Sequence, residues 1–108
     1  MIFNKTKNIC ISKDEINAIS LVKQARGLMF KTKQNCLMTF KEPQPISLHN
    51  FFVFYSLDIL ILNNQLKIIE IKRNFKPFTF WKSTAKGKYC LELAHQSEYD
   101  TGDELVFT

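Results

Sequence analysis

The stretch Leu57-Asp58-Ile59-Leu60-Ile61-Leu62-Asn63-Asn64-Gln65-Leu66-Lys67-Ile68-Ile69-Glu70-Ile71-Lys72 decides the fold class. Ile59 to Leu62 is an unbroken, β-branched-rich apolar run, and its lack of alternation points to a central strand covered on both faces. Asn63-Asn64 follows, and asparagine tolerates the positive φ that a two-residue hairpin turn requires. Leu66 to Lys72 is the returning partner strand. Its alternation changes phase at Ile68-Ile69, the mark of a β-bulge.

The pattern around this hairpin is also mainly that of strands. Phe51-Phe52-Val53-Phe54-Tyr55 reads as a buried strand, Leu37 to Phe40 as a short one, and Lys88 to Ala94 as another. Thr101-Gly102-Asp103 forms a turn into a last strand at Glu104 to Phe107, and Ile2 to Ser12 holds one or two short strands. Pro43 and Pro45 enclose a rigid extended connection, and Phe75 to Gly87 is irregular around Pro77. One helix is expected over residues 14–25. Ser12 and Glu15 match a capping box, Ile16, Ile19, Leu21, Val22 and Ala25 follow a helical stripe, and Gly27 marks the stop. The expectation is one mainly-β domain over residues 1–108, a compact β-sandwich or barrel-like sheet with a short helix near its N-terminus.

The 108 residues suit one domain and exclude a two-domain enzyme or a full (β/α)₈ barrel. Three glycines spread over the chain leave no phosphate-binding loop, and no Gly-x-Ser-x-Gly elbow occurs. The net charge of +5 is unevenly placed. Residues 1–91 carry fifteen cations against five acids, while Glu92, Glu98, Asp100, Asp103 and Glu104 fall in the last seventeen residues. An anionic partner would therefore avoid the C-terminal end. Cys10, Cys36 and Cys90 are odd in number, without a CxxC pair and with apolar flanks, so reduced buried thiols are expected and neither disulfides nor a zinc site. The opening Met1 to Lys7 has no apolar run of signal-peptide length, and Phe51 to Leu62 is too short to span a bilayer. Together these readings point to a cytoplasmic protein with no cofactor.

Two groups of residues carry chemistry. The first is polar: Arg26, His49, Asp58 and Glu92. Asp58 and Glu92 sit between apolar neighbours, so an inward carboxylate would need a partner, and Arg26 could fork onto either. His49 with Asp58 could form an acid/base or metal pair. The second group interleaves cations with rings: Lys72, Arg73, Phe75, Lys76, Phe78, Trp81 and Lys82, with Phe80 in the same run. Stacking faces beside phosphate-neutralising charges suit single-stranded nucleic acid, and also a membrane interface or a partner's groove. The alternative is that Phe78, Phe80 and Trp81 fold back into the core while the lysines stay wet.

The order of several short motifs resembles the small family called domain of unknown function 192, over about residues 20–107. The anchors are Ala25-Arg26-Gly27-Leu28-Met29, Leu37-Met38-Thr39-Phe40 with Pro43, Ser47 with Leu57-Asp58-Ile59, Leu62-Asn63, Pro77, Ala85 with Leu91-Glu92-Leu93, and Gly102-Asp103. His49 followed by Phe51-Phe52-Val53 looks like one branch of that family, where other members carry a Trp-Met-Lys-Asn-Thr run. Ser56 replaces a customary proline, and the connection from Leu93 to Gly102 is shorter and lacks its usual glycine. The resemblance implies a β-rich sandwich and no settled activity.

Three functions follow as expectations. One is a non-catalytic binding module with Arg26, His49, Asp58 and Glu92 beside an aromatic surface, taking a ligand or protein partner. Another is a nucleic-acid-binding protein using residues 72–88. The third is a hydrolase or metal enzyme centred on His49 and Asp58.

Overall fold

The computed structural model describes residues 1–18, 34–49 and 55–108. Within these residues lie β1 (Ile2–Asn4), β2 (Ile9–Ser12), β3 (Glu15–Ala18), β4 (Asn35–His49), β5 (Leu57–Leu62), β6 (Ile68–Phe75), β7 (Phe80–Leu93) and β8 (Leu105–Phe107). They build a three-stranded sheet in the order β2-β1-β8 and a five-stranded sheet in the order β3-β4-β7-β5-β6. All pairings are antiparallel except β3 with β4, which run parallel.

β5 explains the architecture. All six of its residues are buried, between β6 and β7. Leu60 and Leu62 point toward the smaller sheet and pack with Ile2, Leu91, Leu93, Tyr99 and Leu105. Leu57, Ile59 and Ile61 point the other way and pack with Cys36, Met38, Ile46, Phe75 and Cys90. A strand with a core on each side needs no polar face, which is why its apolar run is unbroken. Burial of a side chain of this kind contributes roughly 1.5–3 kcal/mol.

The bulge falls where the phase change placed it. Ile61 pairs with Glu70 and Leu62 with Ile68, so Ile69 is the extra residue. The turn is longer than two residues. The Asn63 side chain accepts from the backbone N–H of Gln65 and of Lys67, both at 3.0 Å, and the positive φ falls on Leu66 (62°), not on an asparagine.

Two expectations are corrected. Among the described residues there is no helix: Glu15–Ala18 forms β3, paired with Asn35–Met38, and residues 19–25 of the expected helix lie outside the described residues, as do Gly27 and the expected strand residues 51–54. The Ser12–Glu15 contact does form, with the Ser12 hydroxyl donating to Glu15 Oε2 at 2.6 Å, but it closes a turn into a strand. Long-range pairing has overridden the local helical pattern. The prolines are also not in a connection, because β4 runs through both.

β4 and β7 pair along a ribbon with two irregularities. Between the pairs Thr39↔Tyr89 and Gln44↔Gly87, residues 40–43 face only Lys88, so Pro43 sits where no ladder N–H is needed. Between Pro45↔Lys86 and Ser47↔Lys82, Ile46 alone faces Ser83, Thr84 and Ala85. The Ser83 hydroxyl accepts from Ile46 N–H and donates to Ala85 O, both at 2.8 Å. Glu70 of β6 then accepts from the N–H groups of Thr84 and Ala85, both at 2.9 Å, and from the Thr84 hydroxyl at 3.1 Å. What reads as an irregular segment in sequence is therefore a strand interrupted by a bulge, which Glu70 ties down.

Candidate binding surface

Of the polar group, the structure separates Asp58 from Glu92. Asp58 pairs with Leu93, and its neighbour Ile59 pairs with Glu92. Because side chains alternate along a strand, Asp58 faces the smaller sheet with Leu60, whereas Glu92 faces the opposite layer with Ile59 and Cys36. His49 pairs with Phe80 and Asp58 with Leu93, so the two align with opposite ends of β7. Arg26 lies outside the described residues.

Asp58 is 3% exposed and well supplied with partners. Its Oδ1 accepts from the N–H of Asn74 at 2.9 Å, and its Oδ2 accepts a short hydrogen bond from the Tyr99 hydroxyl. The Arg73 guanidinium stacks 4.8 Å from the centre of the Tyr99 ring, donates to Tyr99 O at 2.6 Å, and lies 3.7 Å from Asp58 Oδ2. Burial, and then the hydrogen bond to Asp58, push the Tyr99 phenol above its usual range. This set braces β5, β6 and the segment before β8. Arg73, which the sequence groups with the surface cations, takes part in this set while its side chain stays half exposed.

Glu92 is 5% exposed among apolar side chains and thiols. Burial raises its carboxyl from the ordinary 4.5 to about 8. Burial and the neighbouring Glu92 push the Cys36 thiol up to about 12, and they also raise that of Cys90. All three cysteines are free, Cys36 and Cys90 buried and Cys10 half-buried. Among the described residues no group of three or more His, Cys, Asp or Glu side chains is placed to hold a metal ion.

A cleft of about 550 Å³ lies between β2 and the segment after β7, walled by Cys10, Ser12, Asp14, Asn35, His95 and Ser97 among others. Part of its polar wall is already engaged. The Asn35 amide donates to the Ser12 hydroxyl and accepts from Ala94 N–H, both at 2.8 Å.

The basic, aromatic run is divided by the pleat. Phe75 is buried opposite Leu57 and belongs to the core. Trp81 pairs with Leu48 and packs, half-buried, against the layer of Ile46 and Phe75. Phe80 and Lys82, on either side of Trp81, therefore face outward. Phe80 is 74% exposed and Phe78, at a φ of 61°, is 57% exposed. Lys76 and Lys82 are also exposed. Phe80 is thus the most exposed ring of the run. Its outward direction is hidden in sequence, because the bulge at residues 83–85 breaks the alternation that would connect it to the regular part of β7.

Comparison with known proteins agrees with this architecture. The chain belongs to the DUF192 family, described as "Uncharacterized ACR", which it matches over residues 7–105. The match reaches further toward the N-terminus than the motifs alone suggest and takes in β2 and β3. The chain is similar to the UPF0127 protein PH1112 of Pyrococcus horikoshii, with 28% identity over 112 residues covering 97% of this chain and 96% of that one. A UPF0127 protein of Thermococcus sibiricus is 29% identical over 113 residues, covering 97% of this chain and 73% of the relative. A crystal structure of a protein of unknown function from Novosphingobium aromaticivorans superposes with a TM-score of 0.78 at 19% identity, covering 86% of this chain and 74% of that one. That likeness establishes a shared fold. Among the described residues no helix is long and apolar enough to cross a membrane.

Proposed function

We propose that this protein is a non-catalytic binding module whose contact surface is the outward face of the β4–β7 ribbon at Phe80 and Lys82 with the adjoining Phe78. The observation that carries this reading is the exposure of two phenylalanines, 57% and 74%, beside a tryptophan that turns inward. Rings this exposed, on a chain that buries Phe75 and packs Trp81 against its core, favour a partner. The placement of the acids supports binding over catalysis. Asp58 is engaged by a phenol and a backbone amide, and Glu92 lies in the other layer, so the two do not converge on one reacting atom.

The test places a photoreactive phenylalanine analogue at position 80 or, as a control, at position 3 in the cell of origin. Phe3 is 37% exposed on the smaller sheet. Cross-linked products are expected from position 80 and not from position 3. Equal yields at both positions, or none at position 80, would overturn the reading.

A further inference from the structure

We infer that the partner of this surface is a single-stranded nucleic acid, an inference that rests on the preceding reading of Phe78, Phe80 and Lys82 as the contact face. Between Glu70 and Glu92 the chain carries Lys72, Arg73, Lys76, Lys82, Lys86 and Lys88 and no acid. The structure sorts these cations. Arg73 is committed to Tyr99 and Asp58, and Lys88 donates to Lys41 O at 2.9 Å. For Lys72, Lys76, Lys82 and Lys86, no carboxylate among the described residues lies within ion-pair distance. The acid nearest in sequence, Glu70, makes no ion pair with them and is held on the β7 bulge, where its oxygens accept from Thr84 and Ala85. Three acids of the C-terminal part are matched elsewhere: Asp100 and Asp103 pair with Lys7, and Glu104 pairs with Lys5.

What remains, among the described residues, is a set of lysines outside any ion pair, of which Lys76 and Lys82 flank the exposed Phe78 and Phe80 along the chain. Phe80 and Lys82 lie on one side of the strand, about 7 Å apart along it. A ring beside an ammonium at that spacing offers a base a stacking face and the adjoining phosphate a counter-charge. Duplex fits less well, because its bases are already stacked and their faces are closed to Phe80. The chemistry of this face recognises an unpaired base with its phosphate, whether the sugar is ribose or deoxyribose.

The test is fluorescence anisotropy with labelled twelve-residue oligouridylate and oligothymidylate, in parallel with a duplex of equal length and phosphatidylserine vesicles. Binding of a single strand is expected, weakening about 20- to 50-fold between 50 and 200 mM salt if three or four lysines meet phosphates. Phe80→Ala should weaken it about 5- to 150-fold without changing the salt slope. Lys82→Gln should reduce the slope by about 0.7. Comparison of the two oligomers tells whether RNA or DNA is preferred. Absence of single-strand binding at 50 mM salt overturns the inference, and so does binding that Phe80→Ala leaves unchanged. If oligonucleotides fail while position 80 still cross-links, the partner class is wrong and the contact surface stands. Binding to vesicles alone, with the same dependence on Phe80, likewise overturns the nucleic-acid partner and leaves the surface in place. Circular dichroism confirms that Phe80→Ala is folded, as expected for a ring that is 74% exposed.

Discussion

Asp58 and Glu92 sit on neighbouring strands, one register step apart, and point into opposite layers of the protein. Both are carboxylates between apolar neighbours, yet their surroundings differ completely. Asp58 meets Tyr99 and the backbone of Asn74, while Glu92 meets Cys36, Cys90 and Ile59. One position of alternation separates a hydrogen-bonded side chain from a buried acid that resists ionising.

Glu92 makes stability depend on pH. Below pH 4.5 its carboxyl is protonated in both the folded and the unfolded chain. Above that the unfolded chain ionises first, because the folded carboxyl holds its proton to about pH 8. Stability therefore falls as pH rises from about 4.5 to 8, by up to several kcal/mol, on the order of 4–5. Urea unfolding of the wild type and Glu92→Gln across this window should show a declining midpoint only in the wild type. Equal slopes in the two proteins would refute the assignment.

Removing the Tyr99 hydroxyl isolates a buried oxygen. Tyr99→Phe keeps the ring under Arg73 but takes a donor from Asp58, which should cost about 1–3 kcal/mol. Asp58 and Tyr99 should couple by more than about 0.5 kcal/mol in a double-mutant cycle read by thermal unfolding. Additive single effects would show that the hydrogen bond does not contribute.

Gly87 is fixed by contact rather than by backbone conformation. A methyl group there would lie 2.5 Å from Ile61 Cγ2 and 2.8 Å from Ile46 Cδ1. Gly87→Ala is expected to destabilise by about 1–3 kcal/mol through overpacking. Adding Ile46→Val, which removes Cδ1, should recover part of that loss. A Gly87→Ala variant as stable as the wild type would mean that the ribbon can move away from β5.

How legible these features are in sequence depends on how local their causes are. The central strand, the bulge at Ile69 and the turn at Gly102 each follow from a few adjacent residues, and each can be read directly. The segment after Ser12 misleads for the opposite reason. Its hydroxyl and Glu15 do meet at 2.6 Å, but pairing with residues 35–38 decides that the backbone is a strand. Phe80 and Trp81 are indistinguishable by composition. Only the register of Trp81 with Leu48 sends one ring into the core and the other into water. The same holds for Asp58 and Glu92, whose flanking residues look alike until the ladder assigns each a face.

The order β2-β1-β8 has a consequence for biosynthesis. The smaller sheet joins residues 2–12 to residues 105–107, so its last strand is among the last of these residues to leave the ribosome. Until β8 docks beside β1, one face of β5 and β7, with Leu60, Leu62, Leu91 and Leu93, lacks part of its cover. The nascent chain therefore carries an adhesive leucine face until that strand emerges, a substrate for chaperones that the finished protein conceals.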